Sequence, residues 1–330
     1  MIDAEKPVEH PREFFGQKNI VRRIFSRVGA PRPQSVAVIG GRKVGKTSLL
    51  RYLAHREIIA EYLPAATKYL FIHREIENDP GMDAPRFLKS LGRLLSVDGL
   101  DADTAYNKIQ RKVEDLHASG KKIVLFFDDF HNITRNTNFP LEFFSFLRSL
   151  ANNFNLAYVT SSYLELQKLC VAKDIEESPF FNIFTNVALG ILAEEDACAL
   201  LGGLSGWDAA TVKAVVTWAG PLPYIIKLIA RECGTAPPPN NQFEKLFLPF
   251  LKDYFALILS VLPREAYKPL KELAKGKDPD PRDAHYLKPL VRHHFLIDDE
   301  DKISFFSEAF KLFVKNHAEP ALLKGNDNHL

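Results

Sequence analysis

The feature that most constrains the fold is a glycine-rich stretch at residues 40–47, with the sequence GGRKVGKT. It matches the pattern G-x-x-x-x-G-K-[ST], in which backbone N–H groups and a lysine surround phosphate groups. The apolar run SVAVI precedes it, and the apolar-periodic run SLLRYL follows it. A buried strand, a glycine loop and a helix in this order predict a phosphate-binding turn at the positive end of a helix dipole.

The residues of this loop have separate predicted roles. Glycines let the chain wrap closely around a phosphate, Lys46 supplies charge to the β- and γ-phosphates, and the Thr47 hydroxyl is a ligand for Mg²⁺. A guanine-reading N-K-x-D motif is absent, because the nearest sequence, Asn107-Lys108-Ile109-Gln110, lacks the aspartate, so ATP or ADP is favoured. We expect the following loop residues to hold the nucleotide: Gly40, Gly41, Val44, Gly45, Lys46, Thr47 and Ser48.

A second motif supplies carboxylates. The apolar run KKIVLFFDD, residues 121–129, ends in Asp128 and Asp129. Two adjacent carboxylates after a buried strand are costly unless a cation or solvent receives them. We expect Asp128 to hold Mg²⁺ through water and Asp129 to orient or activate the attacking water. The alternative is a pair of solvated residues that opens a loop.

Strand and helix patterns alternate through the first part of the chain, which predicts an α/β fold with a mainly parallel sheet. The predicted strands are 35–40, 68–73, 121–129, 155–162 and 184–189. The predicted helices are 14–28, 44–58, 84–97, 103–119 and 140–153. One β-α unit lies between the two motifs, a spacing typical of the additional-strand class of P-loop ATPases.

In that class a further strand lies between the two motif strands and carries a polar sensor of the γ-phosphate. The strand NLAYVTSS offers Ser161 as our candidate sensor, with Thr160 and Ser162 as alternatives. An ordinary helix N-cap is the other interpretation of each of these hydroxyl groups.

The pattern changes to helices after about residue 190, and the stretch HFLIDDEDKISFFS, residues 294–307, predicts two strands joined by an acidic turn. Helices followed by such a wing predict a winged helix, and the proline run in TAPPPNNQ predicts a linker, because proline cannot continue a helix. The predicted divisions are an N-terminal segment 1–34, an α/β domain 35–190, a helical lid 191–234, a winged-helix domain 243–318 and a disordered tail 319–330.

Composition limits the function classes. The net charge of +2 argues against a strongly basic nucleic-acid binder. Three separated cysteines indicate buried free thiols in a reducing cytosol. The chain shows no apolar signal segment and no run of roughly 18 apolar residues, so we expect a cytoplasmic protein without a membrane span. His285, His293 and His294 lack metal-ligand spacing, which favours structural roles for them.

Taken together, the loop running into KTSLLRYL, the DDFH after the strand and the downstream segments resemble the STAND ATPases, signal-transducing relatives of the AAA+ and Orc/Cdc6-type ATPases. The segment PREFFGQKNIVRRI resembles the family's box before the loop, with Gln17 in place of an arginine. The resemblance implies that Phe15 and Gly16 help to hold the adenine.

Two further segments carry the resemblance. FFSFLRSLANN resembles the helix with a Leu-Arg pair before the sensor, which implies a catalytic role for Arg148; surface solvation is the alternative. WAGPLPYIIK resembles the Gly-x-Pro motif, which implies that Pro223 touches the base or ribose, although Pro221 stands where the family has glycine. A helix start marked by prolines is the alternative.

The resemblance implies a slow, Mg²⁺-dependent ATPase that works as a molecular switch. Its ADP or ATP state would control assembly with itself or with a separate effector or sensor protein. One alternative is a DNA-acting AAA+ ATPase whose winged helix binds duplex DNA through a basic stretch. That stretch contains Arg264, Lys268, Lys271, Lys275 and Lys277, but acidic residues interrupt it, as on a solvated helix face. The other alternative is an adaptor that binds nucleotide without hydrolysing it.

Overall fold

A computed structural model describes residues 4–101, 103–236, 242–260, 262–299 and 302–317. The chain divides into two compact units. The α/β unit comprises Val8–Gly40 and Lys46–Leu189, and the C-terminal unit comprises the described residues of Met1–Pro7, Gly41–Gly45 and Gly190–Leu330. Five residues of the glycine loop are therefore grouped with the C-terminal unit. The proline run at 237–239 and the predicted tail lie outside the described residues, and the finer domain divisions stay predictions.

The elements of the α/β unit alternate along the chain. Its strands are β1 Ser35–Ile39, β2 Tyr69–Glu75, β3 Lys122–Asp128, β4 Leu156–Ser162 and β5 Phe184–Ala188. Its helices are α1 Lys18–Val28, α2 Lys46–Ala54, α3 Arg56–Tyr62, α4 Ala84–Leu94, α5 Ala105–Ala118, α6 His131–Thr134, α7 Leu141–Asn153 and α8 Lys173–Glu176.

The five strands form one parallel sheet in the order β2-β3-β4-β1-β5. β4 lies between the two motif strands, with Ala37 of β1 and Phe127 of β3 both in register with Thr160. This order confirms the additional-strand class. Because the strands are parallel, their carboxyl ends meet at one edge of the sheet, where the residues after β1, β3 and β4 come together.

The core of this unit is rich in phenylalanine. The rings of Phe127, Phe139 and Phe143 surround Phe87 at centroid distances of 5.5, 6.1 and 5.3 Å. All four side chains are fully buried, and edge-to-face contacts add to the burial of their large apolar surfaces.

Two predicted helices differ from the observed ones. The helix predicted over 14–28 begins only at Lys18, because Gly16 and Gln17 adopt positive φ angles of 71° and 57°. The helix predicted over 44–58 is broken at His55, whose extended backbone starts α3 and whose carbonyl accepts the Ile59 N–H. The break turns Ile58 and Ile59 into the core, which a continuous helix pattern did not indicate.

In its described residues, the C-terminal unit is helical apart from one hairpin. Its helices are α9 Glu194–Leu201, α10 Ala209–Ala219, α11 Pro223–Cys233, α12 Phe243–Ser260, α13 Tyr267–Ala274, α14 Lys288–Arg292 and α15 Glu308–His317. The strands β6 Leu296–Asp299 and β7 Lys302–Phe305 pair antiparallel, as predicted for the wing. Phe310 of α15 packs between Phe255 and Phe306, at centroid distances of 5.2 and 5.6 Å, so helices and wing share one core.

No helix in the described part of the chain is long and apolar enough to cross a membrane. Cys170, Cys198 and Cys233 are free thiols, but each is half-buried and not fully buried as predicted. Burial still raises the pKa of the Cys170 thiol to about 12, which makes the thiolate scarce at neutral pH.

Candidate nucleotide-binding site

The glycine loop leaves β1 and enters α2 in a tight turn. Gly40 donates its N–H to the Ser162 carbonyl at 3.1 Å, which ties the start of the loop to β4. Gly45 has a φ of +104°, a conformation that side chains rarely adopt, so glycine is required there by the backbone and not by crowding. Lys46 opens α2, is only 9% exposed, and donates from Nζ to the Gly40 carbonyl at 3.0 Å. The lysine amino group thus lies over the loop, where phosphate groups would be held.

Asp128 is the most deeply buried carboxylate at this edge of the sheet. Its side chain is 0% exposed, and the Ser161 hydroxyl donates to its Oδ1. Its Oδ2 is buried and has no hydrogen-bond partner among the described residues. A buried carboxylate oxygen without a partner is costly, and a hydrated cation would relieve this cost. The side chains therefore fit the predicted Mg²⁺, with the Thr47 hydroxyl at the start of α2 as the second protein ligand.

A magnesium site of this kind needs few protein ligands. No group of three or more His, Cys, Asp or Glu side chains that could hold a metal occurs in the described ranges. Mg²⁺ in nucleotide sites is bound by one or two side chains together with phosphates and water. The predicted ligands Asp128 and Thr47 would therefore need only phosphates and water to complete such a site.

Asp129 differs from Asp128 in its surroundings. Its backbone takes a left-handed φ of 53°, and its N–H donates to the Ser161 hydroxyl at 2.8 Å. The side chain is 37% exposed, with Oδ1 at 3.8 Å from Nδ1 of His131. A partly exposed carboxylate beside a buried one is consistent with a group that contacts water, as predicted for Asp129. The role itself stays a prediction.

The three candidate sensor hydroxyls are held in different ways. Ser161 is fully buried and joins Asp128 to the backbone of Asp129, so its proton is already donated. Ser162 donates to the Leu164 carbonyl at 2.5 Å. The Thr160 hydroxyl is buried without a partner among the described residues. Ser161 thus joins the two carboxylate residues through its hydroxyl, and its role as the γ-phosphate sensor stays a prediction.

His73 is a site neighbour that sequence reasoning missed. It lies on β2, in register with Phe126 of β3, and its Nε2 is buried without a partner among the described residues. Burial lowers the pKa of His73, while the charge of Asp128 acts in the opposite direction. The only sequence feature that could have indicated His73 as a site neighbour is its position at the carboxyl end of the predicted strand 68–73.

The loop segment 41–45 makes its contacts within the C-terminal unit. The Tyr254 hydroxyl of α12 donates to the Arg42 carbonyl at 2.9 Å. A Cβ added to Gly41 would lie 2.8 Å from the Phe295 ring, so the absence of a side chain lets this ring pack on the loop. Tyr254 is 6% exposed and Phe295 4% exposed. Sequence reasoning missed both residues.

Polar contacts surround the same segment. The Lys43 amino group lies 2.5 Å from a Glu5 carboxylate oxygen and 5.0 Å from the centroid of the Tyr224 ring. The Tyr224 hydroxyl donates to Glu5 at 2.9 Å. The Lys43 hydrogen bond holds the pKa of Glu5 below its usual value, and burial raises the pKa of Tyr224 to about 12. Pro223, the predicted base-contacting residue, begins α11 directly before Tyr224.

Phe15 and Gly16, the residues predicted to hold the adenine, lie in the segment before α1. Phe15 is half-buried, and Gly16 has a φ of 71°. The neighbouring Phe14, which was not predicted, stacks on Tyr52 of α2 with ring centroids 4.3 Å apart. The Ser48 hydroxyl accepts the Val8 N–H at 3.1 Å, so it holds the N-terminal segment on α2.

Arg148 lies at the amino ends of two sheet strands, the edge opposite to the carboxyl end of β1. It is on α7, which runs back from the carboxyl edge of the sheet, and it lines a cavity with Ser35 and Leu156, the first residues of β1 and β4. The catalytic role that the resemblance implies for Arg148 stays a prediction, and the structure places this arginine at the amino ends of β1 and β4. The Leu-Arg pattern predicted the helix but not the end of the sheet that its arginine would reach.

The loop, the buried Asp128 and the 2-3-4-1-5 sheet together define a P-loop NTPase of the additional-strand, AAA+-like class. Residues 30–220 match the family model described as Novel STAND NTPase 2. This match covers more than half of the chain, so the chain belongs to the Novel STAND NTPase 2 family.

Solved structures show the same fold. The Walker-type ATPase PABY2304 of Pyrococcus abyssi is 13% identical, with a TM-score of 0.62, and the alignment covers 94% of this chain and 99% of that one. The Aeropyrum pernix ORC2 protein in its ADPNP–ADP complexes is 12% identical, with a TM-score of 0.56 and coverages of 96% and 95%. Drosophila ORC bound to DNA is 12% identical, with a TM-score of 0.52 and coverages of 96% and 88%. No curated protein sequence matches the chain.

Proposed function

We propose that the protein is an ATP-dependent molecular switch whose ADP or ATP state controls assembly with a second copy or with a separate effector protein. The observation that carries the proposal is the contact of Tyr254 and Phe295 with Arg42 and Gly41. A phosphate held by the N–H groups of this segment would act on the same backbone that these two aromatic residues touch. Occupancy of the loop would thereby change the packing of α12 and the wing.

The energetics set a requirement on this coupling. A nucleotide shifts an equilibrium only through different affinities for the two states. Moving the populations from 1:99 to 99:1 takes about 5.5 kcal/mol. The Tyr254 hydrogen bond contributes about 0.5–1.5 kcal/mol, so it supplies only part of that difference. Packing of Phe295 on Gly41 and the proposed contact of Pro223 with the nucleotide would supply the remainder.

The chain's residues would divide the work at the bound ATP. Lys46 would contact the β- and γ-phosphates, Asp129 would orient the attacking water, and Ser161 would keep both carboxylates in place. Thr47 and Asp128 would hold Mg²⁺, which neutralises phosphate charge when bound. ATP is proposed in preference to GTP because the sequence lacks the guanine-reading motif.

The proposal is tested by the nucleotide that the purified protein carries. The protein is denatured, and the supernatant is analysed by ion-exchange chromatography. Near-stoichiometric ADP in the wild type, and none in Lys46→Ala, is the expected result for a slowly exchanging switch. Empty wild-type protein that binds ATP only weakly in calorimetry would contradict the switch and favour the alternative of a DNA-acting ATPase.

That alternative has one observation in its favour and one against it. A structure of similar fold, Drosophila ORC, is bound to DNA. In this chain, however, the wing strands carry Asp298 and Asp299, which would repel DNA phosphates. Retention on a duplex-DNA column at moderate salt, lost on Lys271→Glu, is the result that would support DNA binding.

Phosphate release distinguishes the switch from the alternative of an adaptor that binds nucleotide without hydrolysing it. We expect Asp129→Asn to bind ATP with unchanged affinity and to release phosphate more slowly than the wild type. Equal phosphate release by both proteins would remove Asp129 from the reaction, and no release by either would favour the adaptor.

A further inference from the structure

The cavity that Arg148 lines lies in the α/β unit, at the opposite edge of the sheet from the carboxyl end of β1. Its volume is about 570 Å³, and it lies among the first residues of three strands, Ser35 of β1, Leu156 of β4 and Phe184 of β5. Lys46 follows the carboxyl end of β1. A five-residue strand rises about 3.3 Å per residue, so about 16 Å separates the two edges. This amino-edge cavity is therefore distinct from the candidate nucleotide site.

Two arginines give the amino-edge cavity a positive charge. Arg148 of α7 and Arg32, from the segment before β1, both line it, and none of the described lining residues is acidic. Nε of Arg148 is buried and finds no hydrogen-bond partner among the described residues. An arginine whose buried donor has no partner is costly unless a ligand or water receives it.

Arg32 is held in position and keeps donors free for a ligand. One of its terminal nitrogens donates to the carbonyls of Ala151, at 3.4 Å, and Asn152 at the end of α7. These carbonyls form the negative end of the helix dipole and orient the guanidinium. A guanidinium has five N–H donors in a planar fork, so other donors of Arg32 remain for an anion.

We propose that the amino-edge cavity binds a small phosphorylated molecule that carries at least two anionic groups. Paired guanidinium groups recognise phosphate oxygens through charge-assisted, often bidentate hydrogen bonds. The volume lies within the range of small-molecule sites, about 300–1,000 Å³, and exceeds what a single phosphate would need. Phe184 and Pro179 supply apolar surface for the rest of the molecule, and the Asn182 amide supplies a polar group to orient it.

Pyrophosphate is the probe for this site. It is titrated by calorimetry into the full-length Lys46→Ala protein without Mg²⁺, so that the glycine loop does not compete. We expect one binding site per chain. Adding Arg148→Gln or Arg32→Gln should weaken pyrophosphate binding by about 10- to 100-fold, the range for hydrogen bonds to charged groups. Arg111→Gln, an exposed arginine on α5, is the matched control and should leave the affinity unchanged.

Each outcome decides the proposal. Absence of pyrophosphate binding by Lys46→Ala, or equal affinity in the Arg148→Gln and Arg111→Gln versions, would overturn it. Circular dichroism checks the fold of each variant. If Arg148→Gln does not fold, the exposed Arg32→Gln decides alone, and its unchanged affinity would overturn the site.

Discussion

The Ser161 hydroxyl donates a hydrogen bond to Oδ1 of Asp128 and accepts the backbone N–H of Asp129 at 2.8 Å. One buried side chain thus joins the two carboxylates of the candidate site. Because Asp129 has a left-handed backbone, the hydrogen bond to its N–H also helps to hold a conformation that is uncommon for a residue other than glycine.

Removing this hydroxyl should damage both stability and magnesium-dependent binding. We expect Ser161→Ala to lower the free energy of unfolding by about 1–3 kcal/mol, because buried polar groups lose their partner. It should also reduce the gain in ATP affinity that Mg²⁺ provides. Urea unfolding and calorimetry measure the two effects. Ser162→Ala, which loses only a contact with the Leu164 carbonyl, is the control, and equal effects of both variants would refute the positioning role.

The Tyr254 hydroxyl should matter for nucleotide exchange. Tyr254→Phe removes the hydrogen bond to the Arg42 carbonyl and should destabilise the protein by about 0.5–1.5 kcal/mol. We also expect faster release of a fluorescent ADP analogue in a stopped-flow chase. Tyr267→Phe is the matched control, because its buried hydroxyl bonds to the Leu259 carbonyl at 2.8 Å and does not touch the loop. Equal release rates in the two variants would contradict a role for Tyr254 in exchange.

Crowding at Gly41 provides a third prediction. Gly41→Ala would place a methyl group 2.8–2.9 Å from the ring of Phe295, so the loop or the ring must move. We expect a destabilisation of about 1–3 kcal/mol, typical of overpacking, together with weaker ADP binding. Adding Phe295→Leu should recover part of both losses. Gly203→Ala is the control, because its added Cβ meets nothing within 4 Å. Equal stability and equal ADP affinity in the Gly41→Ala and Gly203→Ala proteins would contradict the prediction.

His73 should contribute to the pH dependence of stability. Burial lowers its pKa in the folded protein, so the unfolded chain takes up a proton first as the pH falls through about 6.5. Stability from this group is therefore fully present above that pH and declines below it. Urea unfolding at pH 7.5, 6 and 5 should show a smaller decline for His73→Gln than for the wild type. Identical slopes in the wild type and in His73→Gln would disprove the role of His73.

Local sequence patterns predicted much of this fold. The apolar run before the glycine loop and the run ending in Asp128 became β1 and β3, and the strand of Ser161 lies between them. These elements could be predicted because each is determined by short-range periodicity and by motifs with a fixed structural context. The start of α1 at Lys18 and the break at His55 could not, because they depend on backbone conformations that periodicity does not report.

The remaining site features depend on long-range packing. Tyr254 and Phe295 reach the loop from more than 200 positions away, and nothing in their local sequence indicates that contact. Ser161 was found as a candidate, but its hydrogen bond to Asp128 could not be predicted from the sequence. Arg148 was assigned from a resemblance that identifies the helix, whereas the direction of α7 decides which edge of the sheet the side chain reaches.

Hydrogen–deuterium exchange of α12 and the wing, with ADP or with ATP and Mg²⁺ bound, tests the proposed coupling most directly. The measurement uses the Asp129→Asn protein, so that bound ATP is not hydrolysed. The Lys46→Ala protein is the control that should not respond to nucleotide. We predict faster amide exchange in Phe243–Ser260 and in the wing with ATP than with ADP, and no nucleotide effect in Lys46→Ala. The same exchange with ADP and ATP in the Asp129→Asn protein would contradict the switch.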